Sequence, residues 1–359
     1  MLKSLTPAAD RRGIAALTAF ARLIFVAAVF TALLFGPQAK AENQPSFDVW
    51  LKDLRTEAEN SGIRAEILDA ALAGVEPVPR VIELDRRQPE FTMTFKEYLD
   101  KIVPESRIRK GRAMLNENRA VLEEIGKKYG VQPRFIVAFW GIETGYGRHT
   151  GGFSVVASLA TLAYDGRRSA YFRKELLNAL RILNEGHVSP EAMTGSWAGA
   201  MGQCQFMPSS FLNFAVDESG DGHRDIWTTK ADVFGSAANY LAKSGWNDDQ
   251  TWGRRVKLPQ GFDPQLASLD VIKPLSEWQE LGVRRDNGQD LPSRPLPASL
   301  VLPDGEKAPE GVGQGKEGWA GTSGAAYLVY DNYRATLKWN RSTFFAVAVG
   351  YLADRIGGW

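Results

Sequence analysis

Gly141-Ile-Glu-Thr-Gly-Tyr-Gly147 and, further along, Gly195-Ser-Trp-Ala-Gly-Ala-Met-Gly-Gln-Cys-Gln-Phe-Met-Pro208 are the two stretches on which the reading of this chain turns. The segment from Gln132 to Thr144 predicts a helix. Pro133 suits a first turn, Phe135, Ile136, Phe139, Trp140 and Ile142 supply an apolar stripe, and Gly145 ends it. Glu143 then sits in the last turn. Its carboxylate faces the negative end of the helix dipole, with Trp140 and Phe139 three and four residues back, so field and desolvation both favour the protonated form. An acid held neutral at about pH 7 can serve as a general acid. Gly145, Gly147, Gly151 and Gly152 behind it, with Gly195, Gly199, Ala200 and Gly202 in the second stretch, predict a backbone that a bulky polymer can approach closely.

Composition bounds the class. With 359 residues, 44% of them hydrophobic and 24% charged, the chain can bury one large core or two modest ones. Lys and Arg number 43 against 42 Asp and Glu, a formal charge of +1 that predicts no nucleic-acid partner. His149, His187 and His223 have no zinc spacing, and the single cysteine, Cys204, can form no internal disulfide. Cys204 also has no base beside it in its motif, so it reads as a small buried packing residue. Residues 1–41 read as a signal peptide: Lys3, Arg11 and Arg12 precede the apolar run Leu23 to Phe35, and Ala39-Lys-Ala41 has the small-x-small form of a cleavage site. No cysteine follows that run, so the expectation is a soluble periplasmic protein rather than a lipoprotein.

The pattern that follows is mainly α. Helices are predicted over Phe47 to Asn60, Ala65 to Leu72, Pro104 to Tyr129, Ser154 to Tyr164, Arg168 to Glu185, Ala231 to Ser244 and Thr343 to Ile356. Between Pro259 and Pro309 lie eight of the eighteen prolines, with short apolar runs such as Leu300 to Leu302, which suits strands and turns. The organisation expected is a helical domain over 42–255, a small β unit over 256–325, and a C-terminal segment, 326–359, that returns to helix. Asp217-Glu-Ser-Gly-Asp-Gly-His223 matches the opening of an EF-hand loop. Asp217, Ser219 and Asp221 stand at positions one, three and five, Gly222 at six, and the His223 carbonyl at seven. Thr228, at position twelve, cannot supply the bidentate carboxylate, so a metal-free turn remains an equal reading.

The Glu143-Thr-Gly-Tyr-Gly run, the Ser196-to-Ser210 run and Ala238-Asn-Tyr-Leu-Ala-Lys-Ser-Gly-Trp246 together resemble the B-type lytic murein transglycosylases, over most of the chain from Phe47 to Ile356. The resemblance implies a lysozyme-like helical catalytic core with a small inserted β unit. It implies Glu143 as the one catalytic acid and base, cutting the bond from N-acetylmuramic acid to N-acetylglucosamine in peptidoglycan to leave a 1,6-anhydro end, with no cofactor needed for the chemistry. Ser196, Met201, Gln205, Tyr240, Asn340 and Tyr98 are the implied substrate contacts. From the residues alone, Gln205 and Ser196 fit equally as loop hydrogen-bonders, Tyr240 as core and Asn340 as a helix cap. The resemblance also implies a Ca²⁺ site closed by a later aspartate, Asp232, with Asp225 as the lesser candidate. Peptidoglycan strands are the expected partner, and other cell-wall enzymes a further one. A lysozyme-like hydrolase with a second carboxylate, or a non-catalytic glycan-binding scaffold, are the alternatives.

Overall fold

The computed structural model describes residues 45–86, 93–307 and 324–358. The expected signal peptide lies outside them. By internal contacts the chain divides at Trp50. Of the first unit, residues 45–50 are described: two residues lead in, and Phe47 to Trp50 open helix α1 (Phe47–Asn60). The second unit runs from Leu51 onward.

Short helices α2 (Ala65–Leu72), α3 (Pro79–Arg86) and α4 (Phe95–Ile102) come first. Periodicity did not reveal α4, but its capping box could have. The Thr94 side chain accepts from the Glu97 amide, and the Glu97 side chain accepts from the Thr94 amide. The single helix expected over Pro104 to Tyr129 is two, α5 (Glu105–Glu117) and α6 (Arg119–Tyr129). Asn118 marks the break: its backbone leaves the helical region at φ -111°, and its side-chain amide joins its own N–H on the Met114 carbonyl, at 2.8 and 3.1 Å.

Helix α7 (Pro133–Thr144) is the centre of the fold. Proline opens it, and Gly145, at φ 59°, closes it by donating its N–H to the Gly141 carbonyl. Phe135 through Gly141 are all buried, so the helix is wrapped on every side rather than half-sunk in a surface. Its wrapping includes α5, α6, α11 (Lys230–Lys243) and the last helix, α14 (Thr343–Gly357). Truncating a core ring such as Phe139 to alanine would cost about 3–5 kcal/mol.

After α7 a two-residue strand, β1 (Phe153–Ser154), pairs antiparallel with β2 (Thr194–Gly195), Phe153 opposite Gly195. Between them run α8 (Val155–Asp165) and α9 (Ser169–Asn184), packed on each other. This small ladder delivers the second motif to the end of α7. Helix α10 (Pro208–Phe214) then leads toward α11.

The β unit is an antiparallel sheet of five strands, in the order β4 (Lys273–Pro274), β6 (Pro297–Val301), β7 (Ala326–Val329), β3 (Gly253–Lys257), β5 (Arg284–Arg285). Its strands therefore begin at Gly253 and end at Val329. Helix α12 (Leu275–Glu280) closes its core, where Trp278, Leu300 and Leu328 are fully buried. The pairing Gly253↔Val329 sends the chain back to the helical core through α13 (Asp331–Trp339), which leads into α14. Among the described residues no helix is long and apolar enough to cross a membrane.

Candidate active site

Glu143 stands in the last turn of α7, and its carboxyl meets a residue that no motif in the chain singles out. Trp339, at the end of α13, donates its indole Nε1–H to Glu143 Oε1 at 2.8 Å. Phe139 and Trp140 of α7, Cys204 of the second motif, and Val233 and Phe234 of α11 line the same small cavity as Glu143 and Trp339. The residue keeps a partly exposed face, but its carboxyl is closely surrounded by these apolar groups. Loss of hydration raises its pKa to about 7, against the pull of the Trp339 hydrogen bond, which favours the carboxylate. No acidic neighbour among the described residues contributes to that shift.

Gln203 locks the two motifs together. Its Oε1 accepts from Trp140 Nε1 at 2.8 Å, its Nε2 donates to the Trp227 carbonyl at 2.7 Å, and its own carbonyl accepts from Thr144 Oγ1 at 3.2 Å. Thr144 Oγ1 also accepts from the Gly147 amide at 3.0 Å. Thr144 follows Glu143 directly, so this network of paired polar groups anchors the backbone that carries the acid.

The glycines serve a purpose other than the one expected. A Cβ on Gly147 would stand 2.3 Å from Gln203 Oε1, and one on Gly151 would stand 2.0 Å from the Gly195 carbonyl. Gly195 and Gly202 likewise press on the Ala200 and Ile226 carbonyls. The close approach is therefore of one motif to the other, within the protein, and the expectation of room for a polymer is corrected at these positions. Of the group, only Gly152 has no protein atom within 4 Å of where its Cβ would stand.

The implied contact residues divide in two. Tyr240 joins the site: its ring lies 4.7 Å from that of Trp339, and its hydroxyl donates to the Lys338 carbonyl at 2.7 Å. Gln205 holds a left-handed backbone, φ 51°, uncommon for any residue but glycine, and its Nε2 donates to the carbonyls of Gly202 and Thr150. Asn340 follows Trp339, is exposed, and accepts from the Ser342 amide at the start of α14. Ser196 Oγ accepts from the Ala198 and Ala200 amides and so shapes its own loop. Met201 is wholly buried, with its N–H and carbonyl both paired to Phe206. Its side chain is therefore enclosed by the protein's own groups. Tyr98, on α4, packs its ring 5.4 Å from that of Phe344 in α14. Cys204 is buried, donating to the Val233 carbonyl at 3.3 Å, and its thiol is pushed up by burial and then by the Glu143 charge.

The Asp217 loop converges as a cation site would require. Oxygens of Asp217, Asp221 and Asp232 all lie within 4.8 Å of one another. Asp232 is fully buried, and it accepts the amides of Glu218, Ser219 and Asp225. Asp225 turns away instead, accepting the amides of Trp227, Thr228 and Thr229 ahead of α11. Three carboxylates, the Ser219 hydroxyl and the His223 carbonyl are hard oxygen donors, which fits Ca²⁺. The Ser219 hydroxyl itself donates to Asp217 Oδ1 at 3.2 Å.

The profile of the family described as Transglycosylase SLT domain matches residues 46–354. The membrane-bound lytic murein transglycosylase B of Escherichia coli is 34% identical over 266 residues, 72% of this chain and 66% of its own length, just under two thirds. SltB3 from Pseudomonas aeruginosa, solved in complex with NAG-anhNAM-pentapeptide, superposes with a TM-score of 0.80 at 46% identity, covering 87% of this chain and 80% of that one. The Escherichia coli lytic transglycosylase Slt35, solved in complex with calcium, has a TM-score of 0.68 at 27% identity, covering 89% of this chain and 94% of that one.

Proposed function

This chain belongs to the transglycosylase SLT domain family, as one of its B-type lytic murein transglycosylases with the lysozyme-like fold, and on that premise we propose that it cleaves peptidoglycan strands with Glu143 as sole acid and base. The observation that carries the reading is the enclosed Glu143 carboxyl, held by Trp339 and acted on by no second carboxylate among the described residues. A pKa of about 7 leaves the group able to give a proton and, once ionised, to take one back.

The atoms balance without water. Protonated Glu143 donates to the oxygen that links C1 of the muramyl sugar to C4 of the next N-acetylglucosamine. The C1–O bond breaks, and that sugar leaves with a hydroxyl. Positive charge develops at C1 and its ring oxygen. The Glu143 carboxylate then takes the proton of the muramyl C6 hydroxyl as O6 closes on C1, giving the 1,6-anhydro end and restoring the acid. A hydrolase of the paired-carboxylate kind would need a second acid about 5–9.5 Å away. The anhydro-sugar in the SltB3 complex supports the same product here.

For the metal, Asp217, Ser219, Asp221, the His223 carbonyl and Asp232 would hold Ca²⁺, and its effect would be to brace the loop that precedes α11. The periplasm is the proposed compartment.

The test is incubation of the purified protein with sacculi and identification of the released ends by mass. Anhydro ends resistant to borohydride support the reading, whereas reducible ends would assign a hydrolase. Release by Glu143→Gln at the wild-type rate would remove Glu143 from the chemistry. Sacculus binding without release by the wild type would leave only a scaffold.

A further inference from the structure

Three successive residues beyond α7 hold a left-handed backbone, Gly145, Tyr146 and Gly147, at φ 59°, 65° and 78°. Two are glycine, which takes that conformation freely, but the one between them is an aromatic residue for which it is strained. What holds Tyr146 there is its ring. The ring is buried, stands edge-on to that of Trp140 at 5.6 Å, and carries a hydroxyl that donates to the Arg107 carbonyl of α5 at 2.7 Å. The Tyr146 N–H donates to the Trp140 carbonyl at 3.2 Å. Room for the ring is made on both sides by glycine inside a helix. A Cβ on Gly141 of α7 would stand 2.6 Å from Tyr146 Cε1, and one on Gly111 of α5 would stand 2.5 Å from the Tyr146 hydroxyl oxygen.

Mid-helix glycine weakens a helix, so three unfavourable local choices surround this one side chain. Strain of this kind persists at sites that depend on a fixed geometry, and here it lies three residues from Glu143. The left-handed turn brings the Gly147 amide back onto Thr144 Oγ1 at 3.0 Å and the His149 amide onto the Thr144 carbonyl at 2.9 Å. The last turn of α7 is thereby fixed from below. Trp140, which the Tyr146 ring supports, is also a wall of the Glu143 cavity. Burial pushes the pKa of the phenol up, so the hydroxyl keeps its proton and exchanges none with substrate. We propose that Tyr146 is a positioning residue for strand cleavage, a wedge between α5 and α7 that locks the left-handed turn and so keeps the Glu143 carboxyl in its cavity against Trp339. The proposal rests on Glu143 being the acid of the reading above.

The experiment is initial-rate kinetics of the whole protein on soluble glycan strands, with anhydro ends scored by mass across a pH series and a melting curve for each variant. Tyr146→Asn keeps a residue that tolerates the left-handed turn but removes the wedge. Its kcat should fall about a hundredfold, with KM within about twofold of the wild type, as expected when an acid is displaced by about an ångström. The loosened turn lets water reach Glu143, so the alkaline limb of the kcat/KM profile should move to lower pH. Tyr146→Phe keeps the ring and should stay within about threefold of the wild type in kcat, with the limb in place. Gly141→Ala presses a methyl on the ring from α7 and should reproduce both the loss and the shift, which keeps the test decisive should Tyr146→Asn fold poorly. An alkaline limb that stays in place in both Tyr146→Asn and Gly141→Ala, or a loss confined to KM, would overturn the assignment and leave Tyr146 a packing residue, whatever happens to Tm. Wild-type protein that releases no anhydro ends would instead refute the cleavage reading, and the positioning role would fall with it.

Discussion

Trp339 and Glu143 are joined by a 2.8 Å hydrogen bond across 196 residues of chain. The bond occupies Oε1 with a donor that has no proton to lose near neutral pH. Oε2 is left as the oxygen that exchanges a proton with substrate. Burial and the indole act in opposite directions on the same carboxyl, and their balance sets its acidity at about 7.

Trp339→Phe keeps a ring against Phe139, Phe206 and Tyr240 but removes the N–H. Since that donor favours the carboxylate, its loss raises the Glu143 pKa. The alkaline limb of the kcat/KM profile should move upward by about one pH unit, and kcat should fall by roughly tenfold as the acid loses its fixed orientation. A pH profile measured on soluble glycan strands checks this. An unmoved alkaline limb would mean that the indole does not tune the acid.

Glu143→Gln should be more stable than the wild type in alkaline solution. The folded-state pKa, about 7, lies above the ordinary 4.5, so the folded state prefers the protonated group. Its contribution is fully present below pH 4.5, and it is lost as pH rises through 7. At pH 8 the amide avoids a penalty of up to about 3 kcal/mol, while at pH 4 the two proteins should melt alike. Thermal melts at the two pH values measure it, and a gain of equal size at both would contradict the linkage.

Gln203→Leu should harm both stability and turnover. It orphans the Trp140 indole N–H and the Trp227 carbonyl together, at a cost of about 2–4 kcal/mol. Gly147→Ala reaches the same bond from the other side, because its methyl would press on Gln203 Oε1 at a residue whose φ is 78°. Both variants should lower kcat more than they raise KM, since the acid beside them loses its support. Steady-state kinetics alongside melting curves decide the matter, and a change confined to KM would place Gln203 in binding instead.

Calcium should stabilise the protein through Asp217, Asp221 and Asp232. At a hundredfold excess over Kd the gain is about 2.7 kcal/mol, or roughly 5 °C in Tm. Asp232→Asn should abolish the difference between melts in CaCl₂ and in EDTA. Asp225→Asn should lower Tm equally in both, because Asp225 caps amides and does not join the cluster. If Asp225→Asn alone removed the calcium response, the ligand assignment would be reversed.

What the sequence by itself determined was local. Proline at the start of α7, glycine at its end and the apolar run between them place Glu143 in the last turn, and each of those signals acts within one or two turns of backbone. The same holds for α1 and α2, whose bounds follow from periodicity, and for the strand-forming character of the proline-rich stretch. Where two local signals compete, the reading goes astray: Asn118 lies inside an unbroken helical pattern, and the break shows only in its backbone, at φ -111°, with its side chain folded back on Met114. Tertiary structure alone decided what surrounds the acid. It brought Trp339 to Glu143 by returning the chain through a five-stranded sheet, separated Asp232 from Asp225 as the residue facing the loop, and turned the glycines toward each other instead of toward a ligand. The physical reason is range. Capping and periodicity are energies of neighbouring residues and are written in order along the chain, whereas the indole, the cluster of carboxylates and the glycine contacts exist only after distant segments pack, and no local pattern records which of many possible partners that packing selects.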